Sequence, residues 1–371
     1  MTPLGLALAR LRPAFAALSL PRSRLHGRSR SRRAVLTGLA ALIVAHLGLA
    51  LVVETRRPQW RDPEFFVRQQ RLATVKEFMS HPPDRRPVLA ILGGSRPEMG
   101  LSPEMIFRAC PCGPLPFNCS QSGCLPIGEW LNFTRLIDAG VEPEYLLIEV
   151  LPPVLTDPGP MEDRIPTERL SAKDLVNLRP FHEKPDRIRP AWLKNRIASW
   201  YSLRLPLMAS AGLADVLPFA SVSPHHNWTA CTDFGWVAFY PRQWTAADRD
   251  PRFAVARASY SNLMRGFTIQ PVNDRIYRTL LDSCRKRGIR VALFTMPESP
   301  AFRDCYPPGV RETISTYLVG LAAEYRVPFF DTSGWIDNED AFTDGHHLLG
   351  PAAEQFSERF GRECVRPWVT R

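Results

Sequence analysis

Four short aliphatic runs constrain this chain more than any other feature: VLAIL from Val88, YLLIEVL from Tyr145, IRVALFTM from Ile289 and VPFFDTSG from Val327. A strand with one face in water alternates apolar and polar residues. These runs are apolar almost throughout, as strands buried on both faces are. Helical stretches precede three of them: WLNFTRLIDAG before Tyr145, DRIYRTLLDSCRKRG before Ile289 and VRETISTYLVGLAAEY before Val327. Helix and strand in alternation predict an α/β domain with a parallel sheet covered on both faces, because parallel neighbours need a long crossover and a helix supplies it. The 36 prolines argue against a helical bundle. Between about 156 and 261 the rhythm is lost among prolines, tryptophans and the pair His225-His226. This stretch is expected to be an irregular and helical insertion, its aromatics packing onto the host domain or lining a groove.

The net charge of +10 is uneven. Eight arginines, from Arg10 to Arg33, precede residue 34 with no acidic residue among them. They stand before AVLTGLAALIVAHLGLALVV, Ala34 to Val53, whose one ionisable residue is His46. That run is long enough to cross a bilayer as a helix, and a basic flank stays on the cytoplasmic side. The expected organisation is a basic cytoplasmic segment (1–33), a transmembrane helix (34–53), an amphipathic juxtamembrane connector (54–86) and the α/β domain (87–371). The span is longer than a usual signal core and no Ala-x-Ala site follows it, which favours an anchor over a cleaved leader. The main domain is then extracytoplasmic, in the periplasm beside the inner membrane. Nucleic acid is not an expected partner, since no basic and aromatic interleaving recurs in the body of the chain.

Of the eight cysteines, Cys110, Cys112, Cys119 and Cys124 crowd one stretch. Cys110-Pro-Cys112 is too tight for a zinc pair and no second pair has the right spacing, so no metal and no cofactor is expected. In an exported domain the cluster is expected to form disulfides that pin a loop.

The chemistry-bearing residues sit at strand ends. VLAIL runs into Gly93-Gly94-Ser95-Arg96, which hands a serine to the next turn just past the carboxyl end of a buried strand, where functional residues of parallel sheets gather. Near the C-terminus, TDGHHLLGPAAEQF places Asp344 three residues before His347, ahead of a helix near Gly350. That spacing lets a carboxylate meet Nδ1 of one imidazole and leaves Nε2 free to face a serine. His346 is a rival for the base, two residues from Asp344.

Taken together, LGGSR, FNCSQSG and TDGHHLLGPAAEQF, in that order between Pro87 and Phe360, resemble the three blocks of the SGNH hydrolase superfamily. The likeness is to its membrane-anchored, extracytoplasmic members related to polysaccharide O-acetyltransferases and D-alanine transfer proteins. The resemblance implies a three-layer, flavodoxin-like fold and a triad for acyl-ester chemistry: Ser95 as nucleophile, His347 as base then acid, Asp344 orienting His347. It implies acylated glycan or a small acyl ester as substrate, and envelope proteins as partners. Two positions depart from the family pattern. Gly94 stands where an Asp precedes the serine, and IEVLPPVL offers Glu149, Pro152 and Pro153 but no Asn for the oxyanion. The Ser95 N–H, with either the Gly123 N–H or the Asn118 side chain, then forms a reduced oxyanion hole. Arg96 either meets an anionic substrate or pairs with a local carboxylate such as Glu98, while Glu298 and Arg303 either shape the pocket or are solvated charges of a loop. The departures leave a second reading open, a catalytically inactive envelope protein that binds glycan or a protein partner.

Overall fold

The computed structural model describes residues 27–56, 61–62, 65–80, 86–156, 165, 167–182, 184–197, 203, 231–237 and 245–370. The pair His225-His226 and much of the 156–261 stretch lie outside them. The chain divides into two compact units, Met1–Val52 and Val53–Arg371.

In the first unit runs most of α1 (Gly27–Arg56). Its stretch Ser31–Arg56 is the one helix among the described residues long and apolar enough to cross a membrane, a property that anchors and signal sequences share. At 1.5 Å per residue, about 20 residues suffice for a hydrocarbon core of about 30 Å.

The second unit takes in the end of α1 from Val53 and then α2 (Phe65–Met79). Then come β1 (Val88–Leu92), α3 (Ser95–Gly100), α4 (Pro103–Ala109), β2 (Leu115–Asn118), α5 (Pro126–Asp138) and β3 (Tyr145–Glu149). The insertion contributes α6 (Ala172–Leu178), α7 (Pro185–Ile197) and α8 (Ala246–Met264). After it follow α9 (Pro271–Arg287), β4 (Arg290–Thr295), α10 (Pro300–Arg303), α11 (Val310–Tyr325), β5 (Phe329–Asp331), α12 (Gly350–Phe360) and α13 (Arg366–Val369). All strand pairings are parallel, in the order β2-β1-β3-β4-β5. This is the flavodoxin-like order, in which the chain turns back after β2 to place β3 on the other side of β1. The carboxyl ends of β1 and β3 therefore border a crevice.

The uniform apolarity of the strands has a direct cause. Ala90, Leu92, Leu146, Ile148 and Leu293 enter one core with α5, α9 and α11. Their neighbours Leu89, Ile91, Leu147, Ala292 and Phe294 enter a second core with Ile106 of α4 and Ala353, Phe356 and Phe360 of α12. Successive strand residues point to opposite faces, so a sheet sandwiched between helices needs apolar residues at both parities. The result is three layers.

Two expectations are corrected. The eight cysteines are free thiols. Cys110 is buried under the turn at Gly113 while Cys112 is exposed, and Cys284 and Cys364 are buried in the cores. The stretch expected as a connector is in part built into the domain: Leu72 and Val75 of α2 are buried in the first core. Replacing Leu72 with Ala is expected to lower unfolding free energy by about 2–3 kcal/mol, the lower half of the usual range for buried leucines. Denaturant titration would read this loss, and a connector that merely hung beside the domain would show none.

Candidate active site

Ser95 is the first residue of α3, with Gly94 as its N-cap. Gly93 must be glycine: a Cβ there would lie 2.5 Å from Pro97 Cγ and 2.7 Å from Glu149 Cβ. The tight turn follows, and it presents the serine at the crevice. Glu149, the last residue of β3, accepts the Gly94 N–H at 3.2 Å. A side chain at 94 would meet the Cys124 carbonyl and approach the Glu149 carboxylate. The carboxylate beside the residue before the serine thus comes from the neighbouring strand, as Glu149, 3.8 Å from where a Cβ at 94 would stand.

The structure brings together the three residues 95, 344 and 347. Ser95 Oγ lies 2.6 Å from His347 Nε2, and His347 Nδ1 lies 2.8 Å from Asp344 Oδ2. Asp344 also accepts the backbone N–H of His347 at 3.0 Å and of His346 at 3.3 Å. The loop is closed by the Thr343 N–H to His347 O bond and by an antiparallel bridge between Phe342 and Leu348. Burial alone would raise the Asp344 carboxyl, but the imidazole of His347 and these hydrogen bonds hold it well below the usual carboxylate range. Asp344 is therefore ionised where His347 needs an acceptor.

His346 does not compete for the serine. It is buried, stacked on Phe302 with centroids 5.0 Å apart and edge-on to Tyr260 at 4.9 Å. Burial, and then the neighbouring His347, hold it well below the ordinary histidine value, so it is neutral. Burial pushes the Tyr260 hydroxyl up to about 12; it stays protonated and lies 3.3 Å from His346 Nε2. The ligand atoms of Asp344, His346 and His347 fall within 4.8 Å of one another, close enough to share a cation. In this structure those of Asp344 and His347 are hydrogen-bonded to each other and to Ser95.

Two expected contacts are not made. Asn118 Nδ2 donates to Pro97 O at 2.7 Å and to Leu101 O at 2.9 Å, and its Oδ1 accepts the Ser120 N–H. Both its amide hydrogens are committed inside the protein, so it offers none to an oxyanion. Arg96 makes a structural pair with carboxylates rather than facing substrate, but its partners are Glu149 and Glu298 in place of Glu98. It is 1% exposed, with Nη1 3.3 Å from Glu298 Oε1, Nε 3.6 Å from Glu149 Oε1 and Nη2 bonded to the carbonyls of Met296 and Pro297. Arg303 likewise bonds Glu298 O and Asp337. Gly123 remains available. It is exposed at φ +72°, in a loop tied to the nucleophile turn by the Gln121 N–H to Gly93 O bond of 3.1 Å. Its own N–H has no partner among the described residues.

Sequence reasoning missed Glu149 as a neighbour of the nucleophile and Glu298 as a partner of Arg96. The available signal was an acid ending an otherwise apolar strand run, a costly residue to bury without a partner.

No family model matches the chain, and no curated protein does. Solved structures similar to it include a "putative acylhydrolase" from Bacteroides fragilis, 10% identical over 80% of this chain and 97% of that one, with a TM-score of 0.33. A GDSL-like lipase from Bacteroides thetaiotaomicron is 11% identical over 83% of this chain and 98% of its own, with a TM-score of 0.34.

Because Asp344 is held ionised in the folded state, it contributes stability above the ordinary carboxylate value of 3.8. That contribution is lost as pH falls below this value toward the lower folded-state one. The difference in unfolding free energy between wild type and Asp344→Asn is expected to narrow as pH falls below about 4, where the carboxylate is lost. Denaturant titrations between about pH 5 and pH 3 would show it; a gap that goes on widening below about pH 4 contradicts the assignment.

Proposed function

We propose that the chain is a membrane-anchored, extracytoplasmic serine esterase or O-acyltransferase of the SGNH type, acting on acyl esters of an envelope glycan or a similar substrate. One observation carries the reading: the connected array Ser95 Oγ, His347 Nε2, His347 Nδ1, Asp344 Oδ2, with links of 2.6 and 2.8 Å. An alcohol is a poor nucleophile until a base takes its proton, and a neutral imidazole held by a carboxylate does so at ordinary pH.

Ser95 Oγ attacks the acyl carbon as His347 Nε2 takes its proton. Asp344 fixes the tautomer and stabilises the imidazolium. His347 then gives the proton to the leaving alkoxide, leaving an acyl group on Ser95. Water, or a sugar hydroxyl, repeats the cycle in reverse to yield acid or a new ester. The N–H of Ser95 at the start of α3 and the Gly123 N–H, which has no partner among the described residues, are the donors assigned to the oxyanion.

Anchoring is supported by α1 and by the arginines ahead of its apolar stretch, which fit an N-terminus retained in the cytoplasm. The rival reading, an inactive binder, draws on the missing third-block Asn and on the committed Asn118 amide.

The full chain, purified in detergent, is expected to hydrolyse a short acyl ester and to take up a fluorophosphonate probe. Ser95→Ala is expected to abolish the labelling and to lower turnover by about 10⁴-fold or more. Labelling that persists in Ser95→Ala, or no turnover and no labelling in the wild type, overturns the esterase reading and leaves the binder.

A further inference from the structure

A second line of buried charge lies behind the loop that carries Gly123, separate from the contacts of Arg96. Arg71 reaches in from α2. Its Nη1 donates to Ser120 O at 2.7 Å, and its Nη2 donates to Gly235 O at 2.8 Å and to Glu98 Oε1 at 3.2 Å. The other carboxylate oxygen of Glu98 accepts the Ser122 N–H at 2.7 Å and the Ser122 hydroxyl at 2.5 Å. Arg71 and Glu98 are 8% and 2% exposed. Gly235 completes the arrangement: at φ +87°, a Cβ there would lie 2.2 Å from Asn118 O. Only glycine lets the 231–237 turn come this close to β2.

Glu98 stands three residues after Ser95 on the same short helix, and Ser122 precedes Gly123. One carboxylate thus links the element that carries the nucleophile to the loop that carries the Gly123 N–H, which has no partner among the described residues. An oxyanion donor works within a few tenths of an ångström, at about 2.7–3.1 Å from the position the developing charge will occupy. A glycine in the left-handed region, exposed and without a side chain to pack, does not hold that position by itself. The Ser122 peptide beside it is fixed by Glu98, and Glu98 is fixed by Arg71.

We propose that Glu98 and Arg71 are positioning residues that set the Gly123 N–H against Ser95, so that α2, a helix preceding the sheet in sequence, is a working part of the active site. The proposal rests on the esterase reading above. Neither residue touches substrate. Both act through the 121–124 loop, and their effect falls on transition-state stabilisation rather than on binding.

The test uses the full chain in detergent, with a short acyl ester as probe. Glu98→Gln keeps the shape but has only one acceptor oxygen for two partners. Arg71→Lys keeps the charge but cannot fork to Ser120 O, Gly235 O and Glu98 together. Each is expected to lower kcat about 10- to 100-fold with KM within about threefold, less than outright loss of an oxyanion donor. The double variant is expected to lose about as much as either single one, because the two act as a unit. Active-site titration with the fluorophosphonate corrects every rate for the folded fraction. Where a buried variant misfolds, Ser122→Ala, which removes only the hydroxyl bond, is expected to lower kcat about threefold or more by the same route. Wild-type kcat in the folded variants overturns the proposal, as does a rise in KM alone or a loss explained by the folded fraction. If Ser95→Ala retains turnover, the esterase reading fails first; if Ser95→Ala is inactive while these variants turn over normally, the positioning role alone fails.

Discussion

The contact on which the rest of the site depends is the burial of Arg96 between Glu149 and Glu298. Its guanidinium joins the ends of three strands: β1 through its own backbone, β3 through Glu149 and β4 through Glu298 and the carbonyls of Met296 and Pro297. Charged groups are costly to take out of water, and two opposing charges offset that cost only when geometry and hydrogen bonds satisfy them. Burial pushes the carboxyls of Glu149 and Glu298 up, and Arg96 opposes the shift in both. Glu149 takes the Gly94 N–H and Glu298 takes the Tyr306 hydroxyl at 2.8 Å. Removing Arg96 leaves two buried carboxyls without their counterpart charge. The residue next to the nucleophile is therefore held by electrostatics that the fold cannot relax cheaply.

That clamp sits where it does because of the sheet. β1 is the strand from which the chain goes first to β2 and then, on the other side, to β3. The crevice at this reversal is open to helices and loops from both sides. The two cores fix the heights of the strands by interlocking side chains at both parities. The ends of β1, β3 and β4 thus stand in register, with Leu92 opposite Ile148 and Ile148 opposite Leu293.

Much of this was legible in the sequence, and the remainder was hidden for physical reasons. β1, β3 and β4 announced themselves because strands covered on both faces are continuous apolar runs. β2 did not: it has four residues and contains Pro116, which an edge strand tolerates. The Asp344–His347 pair was readable because three residues of loop determine its geometry. The approach of Ser95 to His347 spans 252 positions and was reachable only through the rule that strand ends converge. Asn118 misled because an amide at a strand end looks the same whether it faces solvent or, as here, cross-links two backbone carbonyls. Arg71 was invisible for a similar reason, since its partners lie on three segments that no periodicity connects. The thiols misled because crowding along the chain does not make side chains face one another.

The two halves of the site are built in different ways, and this asymmetry bears on how each can change. The base half is closed by backbone: the Thr343 to His347 bond, the Phe342–Leu348 bridge and two amides on Asp344, with Ser299 N–H bonded to Gly345 O from the next segment. Backbone bonds of this kind survive many side-chain substitutions. The nucleophile half is held by side-chain charge, Glu149 on one side and Glu98 on the other, each answering to a buried arginine. Its geometry therefore depends on a few specific residues, two of them, Arg71 and Glu149, far from Ser95 in sequence. A fold with this division keeps its Asp-x-x-His loop in place almost independently of the rest. The position of its serine relative to that loop depends on whether the buried charges find their partners.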